Sequence, residues 1–199
     1  MKVVSLATDR TTLRAGELEA VFVPRLGMLG GSFRHRGEEL LRRVDDLAEA
    51  AATGATAGIP LMYPYANRLA GTCYRALGKQ VRLDPQSPLL GRDEQGLLIH
   101  GVRWAALRFD VTEAHPDRLV AQLDWSAGEL LAIYPFRHRL EMAISLDPHV
   151  LAIETTIHAE EALPVSFGFH PYLGLPGVAG GDWRLALRPM RRLVLDARR

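Results

Sequence analysis

The chain has 199 residues, of which 48% are hydrophobic and 24% charged. This is a globular composition, and it excludes the disordered, collagenous and low-complexity classes. Lys plus Arg is 24 against Asp plus Glu 23, a formal net charge of +1, and without a basic block there is no electrostatic footprint for nucleic acid or for an anionic membrane.

That length predicts one domain over residues 1–199 with a substantial core. The lone cysteine, Cys73, has no partner for an intrachain disulfide and no Cys or His companion at zinc-site spacing. No apolar run is long enough for a membrane-spanning helix. The opening MKVVSLATDRTT contains no apolar stretch of signal-peptide length. The expected compartment is cytoplasmic.

In chain order, residues 3–7, 11–15 and 17–23 are short strand candidates, with Gly16 suited to a turn between two of them. Gly27, Gly30 and Gly31 mark a bend or bulge. Near residues 39–52, Leu40, Leu41, Val44, Leu47, Ala48 and Ala51 fall at helical spacing, which predicts a short helix. Strict alternation returns at 107–111, 119–126, 140–146 and 151–158, separated by His115-Pro116-Asp117 and Asp147-Pro148-His149. These four runs read as an antiparallel meander with one buried face. Residues 182–187 and 191–196 read as further strands. The fold class is all-β, with sheets packed face to face.

Two irregular apolar segments interrupt the strands. In residues 58–71, GIPLMYPYANRLAG, two prolines within five residues exclude a helix and a central strand. Arg68 there is either one of many surface arginines or a pinned guanidinium that presents a fixed fork of donors. In PVSFGFHPYLGLPG, His170 precedes a proline that biases it toward extended backbone. It is either a core histidine satisfied by one backbone hydrogen bond or an imidazole that titrates near neutrality as a general acid. His100 lies in LLIHGVRW before a glycine that permits close approach. Taken alone, it reads as structural. His35, His115, His138, His149 and His158 read as solvated residues on strand faces and in turns. There is no nucleophile elbow, P-loop or dinucleotide fingerprint.

With GIPLMYPYANRLAG, LLIHGVRW and PVSFGFHPYLGLPG in that order and strands between them, the sequence resembles the aldose 1-epimerase (galactose mutarotase) family. The resemblance implies an antiparallel β-supersandwich with a shallow sugar cleft. It implies interconversion of the α and β anomers of a free aldohexose, with no metal or cofactor. Carried over by motif, His170 matches the general acid, His100 the second active-site histidine, and Arg68 a substrate-binding arginine with Asn67 beside it. Tyr63, Tyr65 and Tyr172 are candidate edges for the apolar face of a pyranose.

Family members are longer, and their catalytic base is a glutamate near the C-terminus. An aspartate that binds sugar hydroxyls also lies in that later part. No glutamate follows Glu161 here, so the resemblance implies a chain lacking that part, with impaired activity. The alternatives are a non-catalytic carbohydrate-binding or regulatory module on the same fold, and an unrelated β-sandwich. No dense basic cluster flanks the motifs in sequence, so nothing there argues for a phosphorylated sugar.

Overall fold

Apolar residues that recur with a period of two must lie on one face of a strand, and two such faces contribute to one shared core. The computed structural model describes residues 10–42, 46–184, 186, 189 and 190. The strand expected at 3–7 and the one at 191–196 lie outside them. Strands β1 (Thr11–Ala15), β2 (Leu18–Val23), β3 (Leu29–His35) and β4 (Glu38–Glu39) form one antiparallel sheet in that order. After it come a short helix α1 (Leu47–Thr53), strand β5 (Leu61–Met62), the hairpin β6 (Cys73–Ala76) and β7 (Lys79–Arg82), and the pair β8 (Leu90–Arg92) and β9 (Leu98–Val102). The second four-stranded sheet is a meander of β10 (Asp110–Ala114), β11 (Arg118–Trp125), β12 (His138–Leu146) and β13 (Leu151–Ala159), with helix α2 (Gly128–Ile133) between β11 and β12. A last short strand, β14 (Gly168–Phe169), pairs antiparallel with β5.

The meander has the predicted inner face. Leu119, Ala121, Leu123 and Trp125 of β11 and Leu140, Met142, Ile144 and Leu146 of β12 are all buried, and they share a core with Leu13, Ala20 and Phe22 of the first sheet. An all-β architecture with antiparallel sheets and only short helices therefore stands as read from the sequence.

Three local expectations shift. The helix starts at Leu47, because Glu38 and Glu39 join the first sheet instead. The Glu39 carboxylate accepts from Ser32 Oγ at 2.5 Å, from the backbone N–H of Phe33 at 2.9 Å and from that of Leu41 at 3.3 Å. This satisfaction of polar groups outweighs a helical preference worth only tenths of a kilocalorie per residue. The alternation at 107–111 is not a strand throughout. Leu107 and Phe109 plug the core from an extended link after a 3-10 turn at Trp104–Ala106, and β10 begins at Asp110. Helix α2, six residues long, is too short to leave a periodic signal. Of the strand expected at 182–187, Asp182 ends a 3-10 turn, and Trp183 and Arg184 are not in a strand.

His138 is a further correction, since it is 2% exposed rather than solvated. Its ring stacks on Trp125, with centroids 5.4 Å apart. Nδ1 lies 2.7 Å from the Phe136 carbonyl, and Nε2 lies 2.5 Å from the Tyr63 hydroxyl. A carbonyl only accepts, so Nδ1–H donates to it and Nε2 accepts from Tyr63. Burial pushes the His138 pKa down, and burial with the neighbouring Tyr134 pushes that of Tyr63 up. The pair is therefore neutral, and it ties β12 to the segment that carries the site.

Two predictions arise here. Tyr63→Phe leaves a buried ring nitrogen without its donor, so denaturant unfolding is expected to show a loss of about 1–3 kcal/mol. The depressed pKa of His138 means that its stabilising contribution is present above the unfolded-state value of about 6.5 and is lost as pH falls below it toward the folded-state value. The unfolding midpoint is thus expected to drop between about pH 7 and pH 5, with a shallower drop in His138→Gln.

Candidate active site

The proline-rich segment that sequence reading left irregular acts as a splint. Its backbone is laddered on both sides to the other two motif segments. On one side, the N–H of Val102 donates to the Tyr63 carbonyl at 2.8 Å, and that of Leu69 donates to the Leu98 carbonyl at 2.9 Å. On the other, the N–H of Ala66 donates to the Ser166 carbonyl at 2.5 Å, that of His170 to the Pro60 carbonyl at 3.1 Å, and that of Tyr172 to the Gly58 carbonyl at 2.8 Å. Prolines are tolerated because the segment needs few N–H donors of its own to be held. Tyr63 and Tyr65 anchor it, at 1% and 8% exposure. Both rings are core residues and so are not edges of a sugar cleft, which corrects that part of the expectation.

This splint brings His100 and His170 together, with ring centroids 5.9 Å apart and planes at 71°. His100 takes a left-handed backbone, φ +63°, and so does Asn67, φ +64°. That conformation costs a residue with a Cβ about 1–2 kcal/mol, and a reciprocal pair of hydrogen bonds offsets it. The His100 N–H donates to the Asn67 carbonyl at 2.9 Å, and the Asn67 N–H donates to His100 Nδ1 at 3.1 Å. An Nδ1 that accepts leaves the ring proton of neutral His100 on Nε2. Gly101 follows at φ +70°, where a Cβ would lie 2.3 Å from the Tyr63 carbonyl oxygen. Only glycine allows the His100 strand to approach the splint so closely.

Desolvation, then the nearby His170 and the Arg68 guanidinium, push the His100 pKa below the ordinary histidine value. His100 is thus poised to be neutral near neutral pH. His170 is exposed, and it stacks on Tyr172 with centroids 4.6 Å apart and planes at 20°. Tyr172 is fixed in turn by a 2.5 Å hydrogen bond between its hydroxyl and that of Thr56.

Arg68 is pinned by a carboxylate that sequence reading missed. Its Nε lies 2.5 Å from Oδ2 of Asp93, whose side chain is 5% exposed. Oδ1 of Asp93 accepts from the N–H groups of Leu97 and Gln95, at 2.9 and 3.0 Å. Desolvation works against the charge on Asp93, but these donors and Arg68 outweigh it and hold the carboxyl below its usual range. The available signal was an aspartate three residues ahead of Gly96, a turn composition that ties an Asp side chain to its own loop.

One cleft of about 130 Å³ collects His100, His170 and Tyr172, with apolar walls from Met62, Ile99 and Trp104. Arg68 and Asn67 are not in its wall. They flank it through the His100 backbone, to which Asn67 is bonded directly and to which Arg68 is linked by its bridge to Ile99. Among the described residues, no carboxylate lines the cleft. Nor does any cluster of three or more His, Cys, Asp or Glu among them have a metal-binding arrangement. No helix among the described residues is long and apolar enough to cross a membrane.

Similar folds occur in solved structures. A putative aldose 1-epimerase from Escherichia coli K12 superposes with a TM-score of 0.65 at 23% identity, over 83% of this chain and 52% of that one. The Slr1438 protein from Synechocystis sp. PCC 6803 gives 0.69 at 23% identity, over 90% of this chain and 60% of that one. A GalM/aldose epimerase homologue from C. elegans gives 0.67 at 16% identity, over 85% and 51%. The chain thus spans about half the length of the structures it matches, and its fold is galactose mutarotase-like over that span. No curated protein sequence matches it. Residues 9–186 match the family described as aldose 1-epimerase, and the chain belongs to that family.

Proposed function

We propose that this chain binds a free aldohexose in the His100–His170 cleft and takes part in interconverting its α and β anomers. The observation that carries the reading is the pairing of two imidazoles at 5.9 Å in the wall of one cleft. Anomers exchange through the open-chain aldehyde. The proton leaves the C1 hydroxyl, the bond between C1 and the ring oxygen breaks, and the ring oxygen takes a proton. Reclosure on the other face of the carbonyl reverses these steps. His170, exposed to the cleft and backed by Tyr172, is the donor to the ring oxygen. His100, with its proton on Nε2, donates to the ring oxygen or a neighbouring hydroxyl. Arg68 and Asn67 flank the pair as substrate-binding groups, and the Tyr172 ring lies where it can cover an apolar sugar face.

The base that accepts the C1 hydroxyl proton has no counterpart among the cleft-lining residues described. The family resemblance assigns that role to a later glutamate. One acid–base partner contributes typically about 10²–10⁴-fold, so slow turnover by this 199-residue polypeptide is expected. The same observation favours a second reading, a carbohydrate-binding module that does not catalyse.

Polarimetry on freshly dissolved α-glucose and α-galactose separates them. The first reading expects mutarotation faster than the spontaneous rate and lost in His170→Ala. Saturable sugar binding by NMR with no acceleration establishes the second, and an unchanged rate in His170→Ala removes His170 from the chemistry. Asp93→Asn removes the charge that pins Arg68 and is expected to weaken sugar binding by roughly tenfold, the scale of one charge-assisted hydrogen bond. Unaltered affinity in a folded variant would detach Arg68 from the site.

A further inference from the structure

The two imidazoles of the cleft are held by different means. His100 is fixed by its reciprocal hydrogen bonds with Asn67. Among the described residues, the exposed ring of His170 is held by ring contacts alone, edge-on to His100 and stacked on Tyr172. The Tyr172 contact is the close one, with centroids 4.6 Å apart, a separation at which stacked rings attract. A stacked ring is fixed only as well as its partner is fixed.

Tyr172 is fixed at three points. Its N–H donates to the Gly58 carbonyl at 2.8 Å, and its own carbonyl accepts from the Arg42 N–H at 2.8 Å. These bonds set the backbone and leave the side chain its torsions. The 2.5 Å bond between the Tyr172 and Thr56 hydroxyls fixes the side chain as well. Thr56 in turn stands on a clamped piece of chain, the link from the end of α1 to the splint. The Gly54 N–H donates to the Ala50 carbonyl at 2.8 Å and so closes the helix. Gly58 follows at φ +68°, where a Cβ would lie 2.1 Å from the Gly30 carbonyl oxygen, so only glycine lets the link run this close to β3. Ile59 and Gly30 then exchange two backbone hydrogen bonds, at 2.9 and 3.3 Å. The first sheet thus sets where Thr56 stands, two residues before that clamp. Thr56, Tyr172 and His170 all line the one cleft.

From this row of contacts we infer that Thr56 is a positioning residue for His170. Its hydroxyl locks the Tyr172 ring, and the locked ring presents the imidazole to the cleft in one orientation. The inference rests on the sugar-binding reading above and adds to it a residue that lies outside all three motifs, 116 positions from its partner. A proton donor acts only within hydrogen-bond reach of the atom it serves. An exposed imidazole free to turn has to be ordered when the sugar arrives, whereas a ring ordered beforehand has already lost that freedom. The difference for one side chain corresponds to about 2–10-fold in affinity.

NMR of the His170 ring protons, assigned by their loss in His170→Ala, tests the proposal in the sugar-free protein. The spectra are recorded well above the ordinary histidine pKa of about 6.5, so that protonation does not move the signals. Stacking on Tyr172 places these protons in the ring current of the phenol, so they are expected upfield of an exposed histidine. Thr56→Val and Tyr172→Phe each remove one hydroxyl and keep the rest of the side chain. Both are expected to move the signals toward the exposed position, and Thr56→Ser is expected to keep them in place. The double variant is expected to match either single one, because the two hydroxyls act as a unit. Glucose affinity, measured by NMR titration, is expected to fall about 2–10-fold in Thr56→Val and to be restored in Thr56→Ser. Circular dichroism confirms that each variant is folded. Signals that neither Thr56→Val nor Tyr172→Phe moves overturn the inference and leave the sugar-binding reading standing. A difference that appears only once glucose is added also overturns it, because the hydroxyls would then touch the sugar rather than position the ring. So does a shifted ring with unchanged glucose affinity. Absence of glucose binding by the unaltered chain overturns the sugar-binding reading and the inference with it.

Discussion

The reciprocal hydrogen bonds between Asn67 and His100 hold the site together. Each residue sits in a left-handed backbone conformation that its side chain disfavours, and each supplies the N–H that the other accepts. The exchange fixes the His100 ring, places its neutral-form proton on Nε2 and locks Arg68 beside it. Strain of this kind persists only where the surroundings over-determine it. Here those surroundings are the backbone bonds from the splint segment to β9 on one side and to residues 166–172 on the other.

The splint in turn depends on the core. Tyr63 reaches from it to His138 on β12, and Trp125 and Tyr134 pack around the pair. The meander is thereby tied directly to the segment that carries the site. A change at His138 acts on the site through Tyr63, although His138 does not line the cleft. The arrangement separates rigid support from chemistry. Neutral, desolvated rings lie beneath the splint, and above it are one exposed imidazole and one half-buried imidazole.

Beside the cleft, Asp93 is committed to Arg68 and to two backbone N–H groups. Arg92 and Arg103 lie in the wall, and desolvation, then His170 and Arg68, push the His100 pKa below its ordinary value.

The sequence by itself determined the strand meander, because a period-two pattern has only one way to bury its apolar face. It also determined the two irregular motif segments, 58–71 and 164–177, because their prolines and glycines sit where regular structure cannot readily continue. The tertiary structure alone decided which of those residues share a cavity. Tyr63 and Tyr65 have the same composition signal as Tyr172, yet two are core and one is in the cleft, since which way a ring points depends on the ladder partner of its backbone. His138 looked like any strand-face histidine until the register of β11 and β12 placed it over Trp125. The placement of Arg92 and Arg103 in the cleft wall and the bond from Asp93 to Arg68 were silent in the sequence for the same reason. Their significance comes from long-range strand pairing, and a local pattern of residues carries no record of which distant strand will be its neighbour.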